Sequence, residues 1–237
     1  MKAFLVRVGI DSSLESGNWN APVNTDTNEF AYVPIRENNI NKKMHPGMET
    51  SYDEFKDSCR NFGITLPFRL QKEFTHLDPD FSYLSYGDQN ARGKPLDRLN
   101  QDDLLVFYAG LKPIKQCEHK IVYALIGLYV VDRVVSAKEI AKRDWHRNAH
   151  TRRVCDDTDL VVFGKPNISG RLERCLVIGE YRENAYRVRK ELLEEWGGLT
   201  VNDGWIQRSA VLPQFKEPVK FKKWFEQKGI GLMARNN

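Results

Sequence analysis

The sequence predicts an α+β fold: one domain over residues 1–237, built on a mostly antiparallel β-sheet or barrel and flanked by helices. Two observations carry this. Runs rich in β-branched and aromatic residues cluster in the middle of the chain, whereas helical periodicity is confined to the segments around them. No regular βαβα alternation points to a doubly wound parallel sheet, and no repeat, low-complexity tract or Pro/Ser-rich linker divides the chain.

The elements follow in order. KAFLVRVGI (2–10) has the content of a strand and is followed by a polar loop, 11–28, whose one aromatic residue is Trp19. FAYVPI (30–35) reads as a short strand closed by Pro34 and by the polar run RENNINKK. Ser51 and Glu54 have the spacing of a capping box and predict a helix that Gly63 ends. DDLLVFYAGL (102–111) and KIVYALIGLYVVDRVV (120–135) form an antiparallel pair across KPIKQCEH. Ser136 with Glu139 repeats the capping spacing and opens a short helix, AKEIAKRD. DLVVFG (159–164) and RLERCLVIGEY (171–181) predict a second strand pair around the turn KPNISG. NAYRVRKELLEEW (184–196) has helical spacing of Tyr186, Leu192, Leu193 and Trp196 and stops at Gly197. After Pro218, VKFKKWFEQKG places Phe221, Trp224 and Phe225 on one face of a last helix.

At 41% apolar and 29% charged residues, the composition is that of an ordinary globular chain. No apolar run approaches the roughly 20 residues of a membrane span, and MKAFLVRVGID lacks the features of a secretory signal, so a cytoplasmic protein with no membrane partner is expected. Cys59, Cys117, Cys155 and Cys175 are widely spaced with no CxxC, which signals neither a zinc finger nor a disulfide framework. The phosphate-loop, dinucleotide, nucleophile-elbow and HExxH signatures are all missing, which removes those classes and leaves the cofactor unassigned. A net charge of +4 permits an anionic partner without demanding one.

Three segments have the residue types for a site. THLDPDFSYLSYGDQ (75–89) places His76, Asp78, Asp80 and Asp88 where they can act as acid/base groups or ligate a metal, and equally where they can order a proline turn packed by aromatic rings. AKRDWHRNAHTRR (141–153) combines five cations, two histidines and Trp145, the chemistry of a phosphate-binding groove with a stacking ring; it also fits a solvated helix end. The loop after VGID offers Asp11 and Trp19 beside small residues that allow close approach, or it simply covers a sheet edge.

VRVGID, FAYVPI, HLDPDF with SYGD, and DDLLVFYAGL, in this order and continuing to WIQRSAVLP, resemble the nucleotide modification associated domain family, type three, linked to DNA base modification systems. Ser-Leu-Glu-Ser after Asp11 departs from the more glycine-rich loop of that family. DDLLVFYAGL and YALIGLYVVDRV are also similar, over about a third of the chain, to PUA-like modules of the EVE and YTH type, in which aromatic residues cage a modified base. The resemblance implies a partner nucleic acid, DNA ahead of RNA, and joins the acids and the basic stripe into one site. As an enzyme, Asp11, Asp78, Asp80, Asp88 and His150 would act as bases, acids or cation ligands. Arg143, Arg147, Asn148, Arg152 and Arg153 would hold the strand. As a reader, Trp19, Tyr86, Tyr108 and Trp145 would stack on an extruded base. The residues leave catalysis against binding open, together with the metal and the oligomeric state.

Overall fold

In a computed structural model the protein is described over residues 1–14, 16–37, 43–118, 120–207 and 212–237. Parts of RENNINKK, KPIKQCEH and WIQRSAVLP, and Glu15 of the first loop, lie outside the described residues.

The expected central pair forms the spine of an open, mixed, eight-stranded sheet. β6 (Leu104–Pro113) runs antiparallel to β7 (Val122–Ser136), with Leu104 opposite Val130 and Leu111 opposite Val122. Both strands are buried along most of their length, which is why they read as continuous apolar runs rather than as alternation. On the far side of β6 lies β1 (Ala3–Arg7), parallel to it from Ala3 opposite Leu104 to Arg7 opposite Tyr108. β2 (Pro22–Val23) continues that parallel edge.

β8 (Leu160–Gly164) and β9 (Gly170–Val177) exist where expected, but they do not pair with each other. Both lie antiparallel to β7, β8 on its C-terminal half and β9 on its N-terminal half. The intervening turn cannot fold back as a hairpin because β7 holds it on the same edge: Lys165 N–H donates to Val130 O at 2.7 Å, and Val130 N–H donates to Ser169 Oγ at 3.0 Å. β5 (Ser85–Asp88) then adds antiparallel to β8, and β12 (Leu232–Met233) to β9.

Other elements depart from the expected pattern for local reasons. FAYVPI yields only an isolated bridge at Phe30 and β3 (Ile35–Arg36), which pairs with β4 (Thr75–His76). The helix expected over 184–196 is half strand: Glu183 and Asn184 take φ of 51° and 60° and close a two-residue hairpin. This hairpin joins β10 (Gly179–Arg182) to β11 (Ala185–Val188), so that only α3 (Lys190–Trp196) is helical. The Ser51 start is real, since Ser51 Oγ accepts from Asp53 N–H ahead of α1 (Lys56–Arg60). AKEIAKRD and the residues after it form two short 3-10 turns, 137–139 and 142–147. α2 (Asn90–Leu96) has no counterpart in the sequence reading, and α4 (Pro218–Gln227) starts at the expected proline, with Phe221 and Trp224 packed on Trp196.

One packing contact fixes the stretch that carries the site. Phe81 is fully buried among Tyr32, Phe107 and Tyr129, and it lies so close over β7 that a Cβ at Gly127 would come within 2.4 Å of its ring. Burying that ring contributes about 2–3 kcal/mol and pins residues 77–84 to the sheet. Among the described residues, no helix is long and apolar enough to cross a membrane.

Candidate functional site

Asp78 sits at the centre. Its peptide bond to Pro79 is cis, and the turn after it is closed by reciprocal bonds between Asp80 and Ser85, N–H to O, at 2.9 and 3.1 Å. The carboxylate faces β5, where Gly87 N–H lies 2.9 Å from each of its oxygens, and Asn148 Nδ2 donates to Oδ1 at 3.2 Å. Oδ2 faces two imidazoles: His150 Nε2 at 3.4 Å and His76 Nε2 at 3.9 Å.

Each histidine is held from behind by a second carboxylate. His76, on β4, places Nδ1 2.8 Å from Glu37 Oε2. His150 places Nδ1 2.7 Å from Asp159 Oδ1, and its backbone N–H donates to Asn148 Oδ1 at 2.8 Å. Arg153 Nη2 also lies 3.0 Å from His150 Nδ1, but the shorter approach is that of the carboxylate, which requires an N–H on Nδ1. Asp159 is fully buried and is shared between His150 and Arg153, whose Nη1 donates at 3.2 Å. Gly87 makes room for all this, since a Cβ there would meet His150 Cδ2 at 2.4 Å.

Burial alone would lower the His150 pKa, but its bonds to Asp159 and Asp78 and the charge of Asp78 outweigh burial and the opposing Arg153, lifting it to about 9. Burial would raise the pKa of Asp159, yet the bond from His150, the Asp156 N–H and the charges of His150 and Arg153 hold it well below the carboxylate range. A polar cluster that is this buried and this connected survives only because nearly every member has a partner.

The cluster forms the floor of a cavity of about 810 Å³, within the roughly 300–1,000 Å³ of small-molecule sites. The cavity gathers Asp11, Asp78, Tyr86, Asp88 and His150 from segments far apart in sequence. Asp11 pairs with Arg7 at 2.9 Å, while Asp88 pairs with Arg92 at 3.1 Å and accepts from Tyr86 Oη at 2.6 Å. For Asp11, burial is outweighed by bonds from Ser13 and the charge of Arg7, which lower its pKa.

The remaining candidates are placed elsewhere or turned inward. Asp80 points away from the cavity, and its burial raises its pKa against the pull of Arg152, whose Nη2 donates to it at 2.7 Å. Arg152 is therefore a buried partner and not a surface cation. Arg153 lines the cavity but is fully buried on Asp159, and Asn148 holds Asp78 from beneath. Arg143 and Arg147 are on the outside, 88% and 40% exposed, on either side of Asp144. Trp145 stacks on His45 at 4.1 Å, Trp19 packs against the core, and Tyr108 is buried with its hydroxyl donating to Ile206 O at 2.9 Å; none of the three lines the cavity.

Sequence reasoning missed Arg7, Arg36, Glu37, Arg92 and Asp159. Arg92 had a local signal, four residues beyond Asp88 at the start of a helix. Glu37 and Asp159 had none, because only the β3–β4 and β7–β8 pairings bring them behind the histidines.

The fold and cavity define an α+β protein with a titratable pocket, its floor assembled from β4, β5 and the segment 148–153. The chain belongs to the nucleotide modification associated domain 3 family, whose model matches residues 2–212. Comparison with curated proteins and with solved structures returned no match. Membership ties the chain to nucleotide modification, and the matched span contains every residue of the site.

Proposed function

We propose that the cavity receives a base extruded from a nucleic acid strand, DNA in the first instance, and acts on it chemically. The observation that carries this reading is the convergence of Asp11, Asp78, Asp88 and His150 on one cavity that also holds Arg7, Arg36 and Arg92. Cations at the wall suit phosphate or ribose oxygens, and titratable groups at the floor suit proton transfer to a base. A reader that only cages its base needs flat rings around it. Of the four rings expected to stack, Tyr86 alone lines the cavity, and its hydroxyl is engaged by Asp88. That favours chemistry over caging.

Outside, Arg143 and Arg147 extend from the segment whose inner residues reach the floor, a suitable path for the flanking strand. The test is to incubate the protein with single- and double-stranded DNA and RNA and to weigh the released nucleosides. A changed nucleoside mass that disappears in Asp78→Asn supports the reading. Salt-dependent binding with unchanged nucleosides across divalent metals would return the site to a reader, and no binding to any strand would remove nucleic acid as the partner.

A further inference from the structure

We propose that His76, Asp78 and His150 form a binding site for one divalent first-row transition metal ion, bound through the two Nε2 atoms and Asp78 Oδ2. These three ligand atoms lie within 4.8 Å of one another, with Asp78 Oδ2 at 3.4 Å from His150 Nε2 and 3.9 Å from His76 Nε2. An ion bonded at about 2.0–2.2 Å to nitrogen and oxygen sets neighbouring ligand atoms roughly 3.0–3.5 Å apart. The Asp78–His150 pair already has that spacing, and His76 Nε2 lies about half an ångström beyond it from Asp78 Oδ2.

The surroundings are those of a metal site more than of an ion-pair network. In each imidazole the nitrogen turned away from Asp78 meets its own carboxylate, Glu37 at 2.8 Å and Asp159 at 2.7 Å. That arrangement keeps hydrogen on Nδ1 and turns Nε2 towards Asp78, where an ion would take the place of any proton on Nε2 and gain the donor strength that the carboxylate behind the ring supplies. Asp78 is likewise oriented: Gly87 N–H donates to both carboxylate oxygens and Asn148 Nδ2 to Oδ1, with Oδ2 also facing the imidazoles. The rings meet edge to face with centroids 5.1 Å apart, so both Nε2 atoms converge without stacking.

The donor set selects the ion class. Two imidazoles and one carboxylate suit zinc, iron(II), cobalt(II) or manganese(II), and disfavour magnesium and calcium, which take all-oxygen shells. All three ligands line the cavity, so the coordination positions they leave open face the space where a base would enter, and water or a substrate atom completes the shell. The site goes beyond the nucleotide reading, and metal alone is its probe.

The experiment is a titration of metal-stripped protein with cobalt(II), iron(II) under anaerobic conditions, zinc, manganese and magnesium, with no nucleic acid present. Metal content is measured after desalting, and the cobalt visible spectrum reports nitrogen and oxygen ligation. One transition ion per chain is expected, with no retention of magnesium. Binding should fall at least 100-fold in His76→Ala and Asp78→Asn. Glu37→Gln, which touches the ion only through His76, should weaken it about 10–100-fold. His76 is at the edge of the cluster, with its side chain 13% exposed, so its variant is expected to fold even where a change at buried His150 is not tolerated. Folding is checked by circular dichroism and melting. Absence of stoichiometric cobalt, or equal binding in folded His76→Ala and wild type, overturns the site. Failure of strand binding alone leaves it standing, while failure of metal binding leaves the Arg7 and Arg92 wall available for a nucleotide.

Discussion

Gly87→Ala is the most incisive perturbation, because it reaches the floor of the cavity without removing any functional group. A Cβ at this position would lie 2.4 Å from His150 Cδ2, 2.8 Å from Cγ and 2.9 Å from Asn148 Oδ1. Carbon atoms rest at about 3.5–4.0 Å, so the ring must retreat by roughly 1 Å or the strand must yield. Retreat is resisted by Asp159, fully buried and 2.7 Å away, and any that occurs pulls Nε2 off Asp78. Gly87 is not among the positive-φ glycines, so the effect is steric and not a backbone penalty. Overpacking of this kind costs about 1–3 kcal/mol. At about 2–4 °C per kcal/mol for a chain of this size, the melting temperature should drop by roughly 2–12 °C. Cobalt affinity should fall by about 10–100-fold or more, as it does when ligand orientation is lost. Differential scanning calorimetry and a cobalt titration of the same preparation read both. A variant that melts with wild type and binds cobalt equally well would refute the idea that this glycine exists to seat His150.

Three further outcomes are expected. Asp80→Ala leaves Arg152 buried without its carboxylate and should cost about 3–5 kcal/mol in urea unfolding, while the folded fraction still takes up cobalt, since Asp80 is not a ligand. Phe81→Ala empties the ring site over Gly127 and should cost about 3–5 kcal/mol; a loss below about 1 kcal/mol would mean that residues 77–84 are anchored by something other than this ring. Cobalt at 100 times its dissociation constant should stabilise wild type by about 2.7 kcal/mol, seen as a rise in melting temperature that a chelator reverses and that His76→Ala lacks.

The fold was most legible where patterning is local and continuous. β6 and β7 announce themselves as unbroken apolar runs, and α4 by a proline start and a single aromatic face. It was least legible where pairing depends on a third strand. β8 and β9 look like a hairpin because their connection contains turn formers, yet the long β7 offers enough edge for both in succession. The same limit governs the site. Asp78 and His150 stand out in their own segments, and Asp11 follows a strand end. Glu37 and Asp159 are ordinary acids until β3 pairs with β4 and β8 with β7. Asp80 is the opposite case: two residues from Asp78 in sequence, it is turned onto buried Arg152 and does not line the cavity.

The basic stripe 141–153 makes the sharpest quantitative difference between sequence and structure. Read as a row of cations, Lys142, Arg143, Arg147, Arg152 and Arg153 would neutralise about five phosphates and give a single strand a salt slope of about −3.5 from this segment. In the fold, Arg152 is committed to Asp80 and Arg153 to Asp159, both within the protein. Three cations remain outside, for a contribution near −2.1, lessened by Asp144 between Arg143 and Arg147. The two accounts separate by variant. Arg143→Ala and Arg147→Ala should each flatten the dependence of log K on log salt by at most about 0.7, whereas Arg152→Met should lower stability and leave the slope of the folded protein where it was. Anisotropy of a labelled oligonucleotide between 50 and 200 mM salt, concentrations chosen for about a fourfold range, measures the slopes directly. A flattening in Arg152→Met equal to that in Arg143→Ala would show that Arg152 leaves Asp80 to meet phosphate, and the division of this segment into an outer strand path and an inner floor would fall with it.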